Sequence, residues 1–166
     1  MDQLPLPELP EDYFQRMPQY GEAETLEQEG TDTSGRPALL TPETAAAWRA
    51  MRDAAAEDGL TLVPVSTFRS LSYQEHLLRR KIDMGIPWDE ILAYSAYPGF
   101  SEHHTGRAID IGSPASQELE ETFETTPEFA WLTRNAARFG FRMSYPSGNS
   151  FGIGYEPWHW AWGEAI

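Results

Sequence analysis

One segment near the middle of the chain, SEHHTGRAID at residues 101–110, constrains the fold more than any other stretch. It places His103 and Asp110 seven residues apart, with Gly106 between them. Residues 107–111, which follow the glycine, alternate in the manner of a strand. In a strand, Ala108 and Asp110 would share one face, and Gly106 allows the backbone to turn before that strand begins. This arrangement predicts a metal site with one ligand on a loop and the next on a strand.

A second cluster, EPWH at residues 156–159, supplies another imidazole, His159, and a spare carboxylate, Glu156. The chain has no cysteine, so a metal must be held by nitrogen and oxygen donors. Two histidines and an aspartate with an open fourth position predict a catalytic zinc site, with Glu156 as the candidate general base. In a regular strand, residues 156 and 159 would point to opposite faces. We therefore predict a bulge or turn at Pro157 that brings both side chains inward.

Composition excludes some classes of partner. The formal net charge of −14, from 12 basic and 26 acidic residues, disfavours nucleic acid and anionic membranes as partners. The sequence lacks an apolar run of 18 residues, so we expect no membrane span. It also lacks a signal-peptide pattern at its start, although a trimmed leader would leave the compartment open. The 166 residues suit one domain, and we expect a monomer.

Residues 1–40, rich in Pro, Glu and Gly, are predicted to form an irregular N-terminal arm with a disordered start. Residues 41–166 are predicted to form the folded domain. Thr41 and Pro42 begin its first helix, and Ser72 with Glu75 suggests a capping box. The expected helices span residues 42–58, 72–84, 87–95 and 127–139, and the expected strands span residues 60–66, 107–111, 141–144 and 154–162.

Arg69 lies at the predicted junction between the strand of residues 60–66 and the following helix, and Gln74 lies in the first turn of that helix. A helix N-terminus suits an anion such as a carboxylate. The alternative, a surface salt bridge for Arg69 and a solvated Gln74, remains open from this segment alone. His76 and His104 are interpreted as structural or surface residues, and Trp158 as the tryptophan beside a substrate.

Three motifs together resemble a known family. They are SxFRSxxxQ at residues 66–74, PGxSEHxxGxAxD at residues 98–110, and EPWH at residues 156–159. Their order and spacing over about residues 40–163 resemble the LAS zinc peptidases, and within them the VanY-like D-alanyl-D-alanine carboxypeptidases. The N-terminal arm lies outside this resemblance, and Phe68 stands where a tyrosine is common.

The resemblance implies an α+β fold of the hedgehog/DD-peptidase type, a small, mostly antiparallel sheet with surrounding helices. It implies a Zn²⁺ cofactor held by His103, Asp110 and His159. It also implies Glu156 as general base and Arg69 as the group that stabilises the oxyanion. The residues implied to line the pocket for the terminal D-residue are Gln74, Ser101, Tyr145 and Trp158.

The implied reaction is hydrolysis of the C-terminal D-Ala-D-Ala bond in peptidoglycan stem peptides, in the bacterial periplasm or cell envelope or, without a leader, the cytoplasm. A D,D-dipeptidase or an L-alanyl-D-glutamate endopeptidase would share the ligands and base. A non-catalytic cell-wall-binding module with structural zinc is a further alternative. Such a site needs a fourth protein ligand, for which the candidates are His76, His104 and Glu156.

Overall fold

A four-stranded antiparallel sheet and five helices organise the part of the chain that this computed structural model describes, residues 4–116 and 118–164. A disordered start was predicted for the arm, and its first three residues, 1–3, lie outside the described residues. In chain order the elements are α1 (Tyr13–Arg16), β1 (Glu27–Thr31), β2 (Pro37–Leu40), α2 (Pro42–Glu57), β3 (Val63–Ser66), α3 (Leu71–Asp83), α4 (Trp88–Tyr94), β4 (Ala108–Gly112), α5 (Pro127–Asn135), β5 (Phe141–Met143) and β6 (His159–Trp162). Short 3₁₀ helices span Glu102–Thr105, Glu121–Thr125 and Ala136–Phe139.

The main sheet has the strand order β3-β4-β6-β5, with every neighbouring pair antiparallel. In the central pair, Ile109 lies opposite Trp160 and Asp110 lies opposite His159. Because successive side chains alternate between faces, Ile109 and Trp160 enter the hydrophobic core while Asp110 and His159 face the other side. Ala108 and Asp110 share that second face, as predicted, and the α+β fold is confirmed.

The helix α2 packs its apolar stripe against the core face of the sheet. Trp48 and Met51 on this helix are fully buried in the same cluster as the core-facing strand residues. Thr41 caps its first turn by accepting a hydrogen bond from the Thr44 N–H, as the cap-then-proline pattern predicts. None of the helices in the described ranges has both the length and the apolar composition needed to cross a membrane.

Several element boundaries differ from the prediction: β3 begins at Val63 rather than at residue 60, and α5 ends at Asn135, where a 3₁₀ helix follows. Ser70, not Ser72, caps α3, because the extended backbone at Ser70 lets its hydroxyl accept from the Tyr73 N–H at 3.0 Å. The last strand begins at His159 rather than at residue 154, since a turn precedes it. The cap was misassigned because Ser70 and Ser72 give the same capping signal in the sequence.

The sequence led us to expect an irregular N-terminal arm, but part of the arm has regular structure. It contains α1 and an antiparallel hairpin of β1 and β2. The turn of the hairpin is held by Asp32, whose Oδ1 accepts from the N–H groups of Ser34 and Arg36 at 2.8 and 3.0 Å. The β1 sequence EQEGT is almost wholly exposed, so it carries no hydrophobic alternation from which a strand could be predicted.

The arm also supports the loop that carries His103. The N–H group of Ala23 in the arm donates to the His104 carbonyl at 2.8 Å, and that of Thr41, which directly follows the arm, donates to the Gly106 carbonyl at 2.9 Å. Gly106 has a φ of +68°, and a Cβ added there would lie 2.8 Å from a methyl group of Leu26. The glycine is therefore required twice, by the left-handed turn and by the close approach of the arm.

We predict that Gly106→Ala destabilises the protein more than the matched control Gly148→Ala. Gly148 has a similar φ of +72° but nothing within 4 Å of an added Cβ, so the control contains only the backbone cost. The difference in unfolding free energy, measured by urea titration, should be about 1–3 kcal/mol, the usual cost of overpacking. Equal losses for the two variants would show that the arm yields to the added methyl group.

Candidate active site

Three buried side chains converge on one point of the sheet face opposite the core. His103, Asp110 and His159 each offer one donor atom, and these atoms all lie within 4.8 Å of one another. Asp110 Oδ1 is 3.2 Å from His103 Nε2 and 3.1 Å from His159 Nδ1. The structure thus brings together the three residues that spacing in the sequence selected as ligands.

Each of the three residues is positioned by a different element. His103 lies in the 3₁₀ helix Glu102–Thr105, which Ser101 caps by accepting from the His103 N–H at 3.2 Å. Asp110 lies in β4, and His159 is the first residue of β6, directly opposite Asp110. The antiparallel register therefore fixes the relative position of two of the three donor groups, and the capped turn adds the third.

The outer nitrogens of the two imidazoles are held by hydrogen bonds. His103 Nδ1 donates to the Thr67 carbonyl at 2.7 Å, and His159 Nε2 donates to Glu102 Oε1 at 2.8 Å. Glu102 is held in turn by Ser144 and Arg142. These contacts direct His103 Nε2 and His159 Nδ1 toward Asp110, which is how histidine ligands are oriented in metal sites.

The ionisable side chains of this cluster shift one another's pKa values. Burial alone would lower the pKa of His159, but hydrogen bonds to Asp110 and Glu102 outweigh it and raise that pKa to about 10. Burial would raise the pKa of both carboxyls. Interaction with the histidines instead holds the pKa of Asp110 well below its usual range, and His159 and Ser144 lower that of Glu102 to about 2. Burial, followed by the Arg69 charge, lowers the pKa of His103 to about 4.

This donor set fits a zinc ion. Two imidazole nitrogens and one carboxylate oxygen are usual protein ligands of catalytic zinc. Hydrogen bonds with neighbouring groups orient each of these side chains, as is typical of metal ligands. Among residues 4–116 and 118–164, no fourth His, Cys, Asp or Glu joins the set. His104 is engaged elsewhere, since its Nδ1 donates to the Arg69 carbonyl and its Nε2 accepts from the Gly99 N–H. His76 is exposed on α3. The geometry therefore does not favour a closed structural site.

Glu156 lies beside the three donors without belonging to their set. A turn at Pro157 and Trp158 brings it inward, with the His159 N–H donating to the Glu156 carbonyl at 3.2 Å. Its Oε2 is 3.8 Å from His159 Nδ1. The predicted turn at Pro157 is thus confirmed. Burial raises the pKa of the Glu156 carboxyl to about 8, and a divalent cation at the neighbouring donors would lower that pKa again.

Arg69 and Gln74 lie inside a groove of about 780 Å³ that also contains the three donors. Arg69 Nη2 donates to Asp110 Oδ2 at 3.3 Å, and Arg69 Nη1 donates to Gln74 Oε1 at 3.2 Å. Gln74 is 1% exposed and its amide donates to the Ala96 carbonyl at 2.8 Å. The alternative of a surface salt bridge for Arg69 and a solvated Gln74 is therefore wrong.

The remaining predicted pocket residues, Ser101, Tyr145 and Trp158, also line this groove. All three are buried, and the ring of Tyr145 lies 4.6 Å from that of His159. The Ser101 oxygen accepts the capping hydrogen bond, which leaves its own O–H to donate into the groove. The structure thus places every predicted site residue in the lining of a single cavity.

Comparison with known proteins identifies the family. The model of the VanY D-alanyl-D-alanine carboxypeptidase family matches residues 37–165. The chain belongs to the VanY family. YodJ of Bacillus subtilis (strain 168), a protein assigned as a carboxypeptidase, is 38% identical over 123 residues, which are 72% of this chain and 45% of YodJ. The chain thus spans less than half the length of that relative.

Solved structures share this fold. The LdcB LD-carboxypeptidase superposes with a TM-score of 0.74 at 32% identity, over 85% of this chain and 69% of LdcB. VanYB in complex with D-alanine-D-alanine gives a TM-score of 0.69 at 26% identity, over 89% of this chain and 81% of VanYB. A mutant VanY from a VanB-type resistance cassette, solved in complex with Zn(II), gives 0.67 at 25% identity, over 89% and 82% of the two chains.

Glu102 is the site residue that the sequence analysis of this VanY family member did not single out. Its position next to His103 in the motif was visible, but its contact is with His159, 57 residues away. A buried carboxylate on the outer nitrogen of a histidine raises the basicity of that histidine and fixes its orientation. Only the folded chain brings the two together.

We predict that Glu102→Gln weakens zinc binding by about 10–100-fold, the usual effect of losing an outer-shell partner. The neutral amide removes the negative charge that supports His159. Zinc affinity would be measured by competition with a chelator. Glu128→Gln is the matched control, because Glu128 is 8% exposed on α5 and lies outside the groove. Unchanged zinc affinity in Glu102→Gln would show that His159 is held without this carboxylate.

Proposed function

We propose that this VanY family member is a zinc carboxypeptidase that releases the C-terminal D-Ala from peptidoglycan stem peptides. The observation that carries the proposal is the meeting of three oriented donor groups with Glu156 and Arg69 in one groove. A metal site alone is compatible with a structural role. Hydrolysis requires three protein ligands that leave one coordination position open for water, and a buried carboxylate nearby that can act as general base.

His103 Nε2, Asp110 and His159 Nδ1 would hold the ion. Zinc bound there would polarise the scissile carbonyl and lower the pKa of water to near neutrality. The likeness to the VanY structure in complex with Zn(II) supports zinc as the metal of this chain.

Glu156 would act as the general base. Its Oε2 lies 3.8 Å from the donor atom His159 Nδ1, a position from which it could take the proton of the attacking water. After the tetrahedral intermediate forms, the same carboxyl would give that proton to the leaving amine nitrogen, which releases D-Ala. One group thus acts first as base and then as acid, and burial keeps bulk water from competing for the proton.

Arg69 would bind the scissile carbonyl oxygen and stabilise the oxyanion that develops there. The contacts with Asp110 and Gln74 fix the guanidinium before substrate arrives, so little reorganisation is needed during the reaction. A preorganised donor of this kind typically contributes about 10²–10³-fold in rate. We assign Ser101, Gln74, Tyr145 and Trp158 to the pocket that surrounds the terminal D-residue, because they line the groove beside these groups.

We predict that Glu156→Gln lowers kcat by about 10²–10⁴-fold, the range expected for loss of a general base. The variant should still bind one zinc per chain, measured by metal analysis after gel filtration, because Glu156 lies outside the donor set. Loss of zinc together with activity would mean that Glu156 is a ligand and that the assignment as base is wrong.

A second candidate function is that of an L,D-carboxypeptidase, which removes D-Ala that follows an L-configured centre. The likeness to the LdcB LD-carboxypeptidase, at 32% identity, favours it. The two activities use the same ligands and base and differ only in the residue that precedes the scissile bond. A D,D-dipeptidase or an L-alanyl-D-glutamate endopeptidase would differ in the ends of the peptide that the groove admits.

A set of defined peptides distinguishes these functions. We expect a muramyl pentapeptide ending in D-Ala-D-Ala to lose one D-Ala, measured by chromatography of the products. Rapid loss of D-Ala from the tetrapeptide, with the pentapeptide left intact, would replace the D,D with the L,D assignment. Hydrolysis of free D-Ala-D-Ala alone, or cleavage after L-Ala, would overturn the carboxypeptidase proposal.

The proposed substrate implies a place of action. Peptidoglycan lies outside the cytoplasmic membrane, so we propose that the protein acts in the bacterial periplasm or cell envelope as a monomer. The net charge of −14 disfavours tight electrostatic attachment to an anionic wall. If the protein stays inside the cell, the substrate that we propose is soluble peptidoglycan fragments in the cytoplasm.

A further inference from the structure

The chain contains a single lysine, and that lysine lines the proposed active-site groove. Lys81 is the one lysine among the 12 basic residues, and the other 11 are arginines. It is half-buried and shares the groove with Arg69, Gln74 and the three donor residues. The mechanism proposed above does not use it.

The helix α3 places Lys81 on the same face as Gln74. The two residues are seven positions apart, or about two helical turns, so their side chains project to the same side. Leu78, between them on this face, is fully buried. Because Cα–Cβ bonds on a helix tilt toward its N-terminus, the long Lys81 side chain reaches back toward Gln74 and the pocket for the terminal residue.

The ammonium group has only one partner within the described residues. Lys81 Nζ donates to the hydroxyl of Ser95, a buried residue that directly follows α4. No carboxylate of the described residues lies within 4.0 Å of it, and Glu156 acts on it only from further away. An ammonium group has three N–H donors, so two remain for a ligand in the groove.

A half-buried cation loses part of its hydration, and a counter-charge would offset that loss. Burial, followed by the nearby Arg69 charge, lowers the pKa of Lys81. Arg69 differs because Asp110 neutralises it at 3.3 Å. Lys81 is therefore a charge of the groove that has no carboxylate partner within 4.0 Å among residues 4–116 and 118–164, and a bound anion would supply one.

We propose that Lys81 binds the C-terminal carboxylate of the peptide substrate and so directs cleavage to the last peptide bond. This inference rests on the proposed function and adds the residue that recognises the end of the chain. The terminal carboxylate lies one residue, roughly 3.8 Å of backbone, beyond the scissile carbonyl. An ammonium beside the pocket for the terminal residue can pair with a carboxylate at that distance, while Ser101 and Gln74 supply neutral contacts.

Substrates that differ only at the C-terminus test this role. One stem pentapeptide would end in the free acid and a second in the carboxamide, and kcat/KM would be compared for the wild type, Lys81→Met and Lys81→Arg. Methionine keeps the length of the side chain and removes its charge. We expect the preference of the wild type for the acid to fall about 10–100-fold in Lys81→Met, the usual effect of losing a charged hydrogen bond. Lys81→Arg should restore part of that preference.

A binding measurement keeps the inference independent of turnover. Isotopically labelled lysine marks this one residue, so the zinc-loaded Glu156→Gln protein should give a single side-chain NMR signal for Lys81. We expect D-Ala-D-Ala to shift that signal and its C-terminal amide to leave it unchanged. A stem peptide that carries an internal carboxylate but ends in the amide distinguishes the two possible sources of a carboxylate.

Three outcomes would overturn the role of Lys81. The first is an equal loss of kcat/KM on acid and amide in Lys81→Met, which indicates a structural effect. The second is an unshifted lysine signal with the acid, and the third is a shift caused by the internal carboxylate alone. If the wild type cleaves none of the peptides while the acid still shifts the signal, the proposed function fails and the carboxylate site stands.

Discussion

The pairing of Asp110 with His159 across two central strands is the constraint on which the rest of the site depends. Strand register decides which face each side chain occupies, and a slip of one residue would turn both into the core. The opposite face prevents that slip, because Ile109 and Trp160 form the neighbouring pair and are buried among core residues. Hydrophobic packing therefore aligns the two polar donors, and the site requires no separate device to bring them together.

The same pair explains why so much charge is tolerated in a buried position. His159 lies between the carboxylates of Asp110 and Glu102, and Glu102 is held by Arg142 and Ser144. Each ionised group thus has an oppositely charged or hydrogen-bonding neighbour, which offsets the cost of removing it from water. The donor atoms already converge, so a divalent cation would require little movement of its ligands, but its binding would release the Nδ1 proton of His159.

The sequence predicted the parts of the site that are set by local spacing. The shared face of Ala108 and Asp110 and the turn at Pro157 follow from strand periodicity, and the structure agrees with both. Glu102 could not be assigned because its partner lies 57 residues away. The hairpin of the arm was missed for another reason: β1 is exposed and polar, so its pairing with β2 leaves no periodic signal.

The arm is better understood as part of the support of the site than as an appendage. The loop of residues 99–106 turns sharply to present His103, and its carbonyl groups on the far side need donors. The arm supplies two of them from the N–H groups of Tyr20 and Ala23, and Thr41, the residue that directly follows the arm, supplies a third. A loop that had to satisfy these groups with water would be free to move, and its histidine would lose a fixed relation to the strands. Residues 1–40 also bury Tyr13 and Met17 in one hydrophobic cluster and Leu40 in the other, so side-chain packing as well as these hydrogen bonds holds the arm against the domain.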